Sequence, residues 1–220
     1  MHKTVILLAK SAKKLHYCVA GIDNQTGEWI RIISNKPHIQ HAVTVDDMRY
    51  EDETDPKLLD IIKITCKEHC PNYYQQENYI FDDSFYWEKV GQATFQRVIS
   101  LHPLEQESYI FYNSERYVTE EFIKQLPISQ CRSLTIIKPR NVVLSVKHWP
   151  ERVTVQASFE YEGKYYNDIS VKDPEYEIPF KQYADGNYSL NNQKAFVLSL
   201  ADPYQKGNSI YHYKIVATII

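Results

Sequence analysis

Hydrophobic and polar residues alternate with a period of two along much of the chain, and that pattern predicts strands. A short apolar run, Thr4–Ala9, is followed by a basic stretch, Lys10-Ser11-Ala12-Lys13-Lys14, read here as a turn. A hairpin comes next, with arms 16–22 and 28–34 joined by Asp23-Asn24-Gln25-Thr26-Gly27, where Asn and Gly supply the backbone angles that a tight connection needs. From residue 35 to 57 the alternation fails and acidic residues accumulate (Asp46, Asp47, Glu51, Asp52, Glu53, Asp55) before Pro56. This reads as a long surface insertion, and residues 44–57 are expected to be exposed and dispensable for folding. Strand character resumes at 59–65 and 79–81, and 95–101 closes the region before Pro103.

Between Pro103 and Pro127 the period changes. Val118, Phe122, Ile123 and Leu126 fall at helical spacing, with Thr119 as N-cap and Pro127 as the stop, which predicts a short helical connector. Beyond it, 134–137 and 142–146 are one bent strand or two, interrupted by Lys138-Pro139-Arg140-Asn141. Val153, Val155, Ala157, Phe159 and Tyr161 then alternate with polar residues, Glu162-Gly163 turns, and 165–171 returns. A looser stretch around Pro174 and Pro179 leads to strands at 195–200 and 211–220. Each half therefore reads as a strand, a hairpin, an irregular or helical connection and further strands, the order of a five-stranded OB barrel. The expected fold is mainly β, with two tandem OB-like five-stranded barrels and a short helical connector. The first barrel takes residues 1–104 with the acidic insertion 35–57, and the connector plus second barrel takes 105–220.

Composition supports that reading and narrows function. Eighteen Tyr, eight Phe and three Trp sit beside six Gly and two Met; aromatic residues favour pleated strands, and exposed ones offer faces on which bases stack. A net charge of −3 excludes a polycation, so nucleic-acid contact must come from a local patch. The apolar start, Val5–Ala9, is too short for a signal core or a membrane span. Four cysteines (Cys18, Cys66, Cys70, Cys131) suit a reducing compartment, so a cytoplasmic protein without membrane contact is expected.

The segments ILLAKS (6–11), CVAGID (18–23), TGEWIRIIS (26–34), QQEN (75–78) and YKIVATII (213–220) resemble a prokaryotic family of dual OB domain-containing proteins over nearly the whole chain. The resemblance implies two OB-like barrels in one polypeptide, a nucleic-acid-binding role and a place in genome-conflict or anti-phage systems.

For site chemistry, Lys10, Ser11, Lys13 and Lys14 occupy the loop expected to border the ligand face. Trp29 and Arg31 share one side of their strand and so place an indole beside a guanidinium. In the competing reading Trp29 packs in the barrel and Arg31 pairs with an acidic neighbour. Gln76 and Asn78, in the run 75–78, with Trp87 offer amides near an indole; alternatively they cap their own loop. Cys66, His69 and Cys70, even with Cys131, His148, His38 or His41, are poorly spaced for zinc. The acidic run lacks the ordered setting of a nuclease metal site. No phosphate-cradling loop, GxSxG or HExxH is present, so neither metal nor cofactor is expected. A nucleic-acid-binding module for single-stranded or locally opened DNA or RNA is the first reading. A scaffold for a protein or peptide partner, such as one from the same operon, is the second, and an enzyme trails both.

Overall fold

The structure, a computed structural model, describes residues 1–190 and 194–220 and divides into two compact units, Met1–Pro103 and Leu104–Ile220.

In the first unit β1 (His2–Lys13), β2 (His16–Asp23), β3 (Trp29–Ile33), β4 (Asp60–His69) and β5 (Asn78–Phe81) close a ring in the order β1-β2-β3-β5-β4-β1. Only the β3–β5 ladder of that ring is parallel, which is the topology of an OB barrel. The alternation read from the sequence decides the core: Val5, Leu7, Val19, Ile30, Ile32, Ile62 and Ile64 are all buried in one cluster.

Three expectations are corrected. β1 continues through the basic stretch, so the connection to β2 is only Lys14-Leu15, with Lys14 at φ 55°. The acidic insertion is partly a lid. Its Glu51, Asp52, Glu53 and Asp55 are exposed, but Val43, Met48 and Tyr50 belong to the core cluster. Met48 lies in α1 (Val45–Met48), whose N-cap Thr44 forms a capping box with Asp47, and Val43 and Tyr50 flank that helix. The Tyr50 hydroxyl donates to the buried Asp60 carboxylate at 3.0 Å. Finally, β6 (Glu88–Gln92) pairs with β4, and 95–101 is a helix, α2 (Phe95–Leu101), started by Thr94, whose hydroxyl accepts from the Arg97 N–H.

The second unit opens with β7 (Tyr117–Thr119) and α3 (Glu120–Gln125), capped by Thr119 as the spacing predicted. β7 pairs with the last strand, so this segment is built into the second unit. Then come β8 (Leu134–Ile137), β9 (Arg140–Trp149), β10 (Arg152–Tyr161), β11 (Lys164–Val171), α4 (Pro174–Phe180), β12 (Gly186–Ser189), β13 (Phe196–Leu200), β14 (Tyr204–Lys206) and β15 (Ser209–Ile219). The ladder runs β9-β10-β11-β15-β13-β8, with β11 and β15 parallel. β8 and β9 are one bent strand split at Lys138-Pro139, where proline removes a donor, so the ring closes through the chain itself. α4 sits between β11 and β13. Its N-cap Asp173 accepts from the Glu175 N–H and, on the neighbouring strand β15, from the Ile219 N–H at 2.8 Å. Both units are therefore barrels of one topology, with β12 added at the outer edge of β9.

Candidate functional site

In this fold the outer face of the second and third strands, bordered by the first-to-second and fourth-to-fifth connections, takes ligands. In the first barrel that face lies on β2 and β3, and strand alternation does put Trp29 and Arg31 on it while Ile30 and Ile32 point inward. The face is roofed. The connection from β4 to β5, residues 70–77, lies over Arg31, whose Nε donates to Glu77 Oε1 at 3.1 Å and whose backbone N–H donates to the Glu77 carbonyl. Burial works against the Arg31 charge, but Glu77, with Cys18 and Tyr74 nearby, outweighs it and raises the pKa. Trp29 is half-buried with its ring edge-on to His102, 5.2 Å away.

The other sequence candidates of this barrel do not converge. Ser11 is buried within the β1–β2 ladder; Lys10 Nζ donates to the Pro56 carbonyl (3.0 Å) and Lys13 Nζ to the Gln40 carbonyl (2.6 Å). Lys14 is exposed at the turn. The amides of the 75–78 run serve their own loop: Asn72 and Asn78 side chains both donate to Gln75 Oε1, and Gln76 Nε2 donates to the Asn72 carbonyl. Asn78 is buried. Trp87 packs in the core against Phe81, leaving no ring face for a base. Cys66 points into the barrel while His69 Nε2 contacts the Gln76 carbonyl. Among the described residues no three His, Cys, Asp or Glu side chains are grouped to hold a metal ion.

The second barrel differs. Its first-to-second connection, the β9–β10 turn, carries Trp149, 44% exposed, with Lys147 Nζ 4.1 Å from the ring centroid and the indole N–H donating to Thr154 Oγ1. The fourth-to-fifth connection is itself a hairpin, β14–β15, turned by Gly207 at φ 61°. Tyr204 pairs with Tyr211, and Tyr213 pairs with Tyr117 of β7. Strand alternation sends Tyr211 and Tyr213 outward, while His212 and Lys214 are buried. The four rings form one strip: Tyr117 lies 4.7 Å from Tyr211 and 5.9 Å from Tyr213, and Tyr204 lies 6.1 Å from Tyr213. Tyr204, Gln205 and Lys206 are exposed at its end. Between the two connections the outer face of β10 presents half-exposed Thr154, Gln156 and Ser158. None of these residues was singled out from the sequence. The legible clue was the Tyr-His-Tyr-Lys alternation at 211–214; the pairing of β7 with β15 was not legible.

Beneath the strip lies a buried lysine. Lys214 Nζ donates to the Asn113 carbonyl (2.6 Å) and to Asn113 Oδ1 (2.8 Å), and sits 5.3 Å from the Tyr166 ring centroid. Burial pushes its pKa down to about 7, only partly offset by Glu115. The segment 110–113 that it holds is strained, since Phe111 and Tyr112 both have positive φ (45° and 76°). The Tyr166 hydroxyl helps by accepting from the Ile110 N–H at 3.0 Å.

The arrangement defines a protein of two OB barrels, one with a self-covered ligand face and one with an aromatic strip at the mouth of that face. The family model of the dual OB-containing domain matches residues 3–219, and the chain belongs to that family. No curated protein and no solved structure matches it. Among the described residues no helix is long and apolar enough to cross a membrane.

Proposed function

We propose that the chain binds single-stranded or locally opened nucleic acid, and that the second barrel makes the principal contacts. The observation that carries this reading is the strip Tyr117, Tyr204, Tyr211 and Tyr213 ending at Lys206, on the connection that borders the ligand face of the fold. Stacked bases need flat, sequence-tolerant surfaces with a cation for the backbone, and this hairpin supplies both. Trp149 with Lys147 offers the same pair on the other bordering connection. Dispersed phosphate contacts suit a chain whose net charge is −3. A role in prokaryotic genome conflict is the setting that the family resemblance implies for such a binder.

The test is fluorescence anisotropy with a labelled oligothymidylate at two salt concentrations. Tyr204→Ala removes an exposed ring and should weaken binding by about 1–3 kcal/mol with little change in salt dependence. Lys206→Ala should weaken it more at low salt and reduce the slope of log K against log salt by about 0.7. If both variants bind as the parent does at each salt concentration, the strip is not the nucleic-acid site.

A further inference from the structure

β6 is an edge. Among the described residues it forms a ladder with β4 only, and its other side meets no strand beyond the single Tyr50–Trp87 bridge at its start. Natural edges are blunted by charge, proline, bulges or cover; β6 carries exposed Glu88 and Lys89 and a bulge at Val90, but Val90 itself is 48% exposed, and Phe85 and Tyr86 just before the strand are 56% and 66% exposed. Beside this edge runs an open groove of about 770 Å³ whose lining includes Phe85, Tyr86 and Trp87 together with Tyr50, Glu51 and Asp52. Trp87 is fully buried, and its indole N–H has no acceptor. Two lysines line the groove as well, but Lys63 is committed to Glu88 (3.1 Å) and Lys89 to the buried Asp60 (2.6 Å). The excess charge of the groove is therefore the negative charge of Glu51 and Asp52.

The geometry points to β6 as the docking edge for an extended basic peptide of a protein partner, which adds to β6 as a strand. Main-chain hydrogen bonds to the free edge supply affinity, and alternate side chains supply specificity. One set of side chains packs on Tyr86 and Val90; lysine or arginine side chains reach Glu51 and Asp52. The acidic rim disfavours nucleic acid, whose phosphates it repels. This surface lies on the first barrel and stands apart from the nucleic-acid reading of the second.

The probe is a labelled peptide alternating lysine with valine and tyrosine, titrated against the full chain. One comparator carries glutamate for lysine; another is N-methylated on alternate backbone amides. The parent peptide should bind at least about tenfold more tightly than either comparator. Val90→Lys, which places a cation on an exposed edge position, should weaken binding about tenfold without changing the melting temperature, as should Glu51→Gln combined with Asp52→Asn. Equal binding of the N-methylated peptide, or full binding by Val90→Lys, overturns strand addition. Self-association in sedimentation velocity that Val90→Lys abolishes would assign the edge to a second copy and overturn the peptide assignment.

Discussion

Removing residues 44–57 is expected to unfold the first barrel, although the segment contains five exposed acidic positions and few apolar ones. The deletion takes out Met48 and Tyr50, both buried in the core cluster, together with the buried Pro56. Burying one large apolar side chain contributes about 1.5–3 kcal/mol. Asp60, 1% exposed, would also lose the Tyr50 hydroxyl and the Lys57 N–H, while keeping its ion pair with Lys89; taking hydrogen-bond partners from a buried polar group costs about 1–3 kcal/mol. The sum, about 4–9 kcal/mol, is comparable with the roughly 5–15 kcal/mol by which domains are stable. Met48→Ala isolates the packing part and should cost about 2–5 kcal/mol in urea unfolding. A deletion variant with an unchanged urea midpoint would show that the lid contributes nothing.

Lys214 should make stability rise with pH. Its pKa in the folded protein is pushed down to about 7 by burial, whereas a lysine in the unfolded chain titrates near about 10.4. Between these values the unfolded chain holds a proton that the folded chain lacks, so raising the pH favours folding. From about pH 7 to about pH 8.5 the gain is about 1.5 kcal/mol. Above that range the buried Cys66 thiol, pushed up to about 11, and the buried Tyr161 and Tyr166 hydroxyls, also raised by burial, reverse the slope, because those groups lose protons first in the unfolded chain. His212, depressed by burial, acts in the same direction as Lys214 but at lower pH. Urea unfolding of the parent and of Lys214→Met across that window tests the assignment. A slope that survives in Lys214→Met would place the titrating group elsewhere.

The hairpins were legible because local rules agree there. β10 alternates cleanly before the Glu162-Gly163 turn, and β2 and β3 surround an Asn- and Gly-containing turn; the bulge that shifts β11 at Asp168 was not legible. The lid was not legible. Val43, Met48, Tyr50 and Pro56 have no common period, since an irregular segment closing a barrel end meets the core at points set by tertiary shape. In α2 only Val98 is buried, so no helical stripe marked it, and the Thr94 cap was the one local clue. At the site, alternation correctly placed Trp29 and Arg31 on an outer face, but the roof over Arg31 comes from Glu77, 46 residues further along, and no local pattern announces it. The tyrosine strip is hidden for the same reason, because Tyr117 reaches Tyr213 only through a long-range ladder.

With Glu77 seated over Arg31, the tandem is monovalent for nucleic acid on the proposed reading. Two linked modules that both grip one strand gain avidity through effective concentration, often a hundredfold or more. On that reading the stacking strip belongs to one module, so linking the barrels multiplies nothing. A single barrel of this kind covers about 4–16 nucleotides, and the footprint of the whole chain should stay within that span. Any tightening beyond one barrel's grip has to come from neighbouring chains along the strand, or from a partner that brings its own binding surface to the β6 edge.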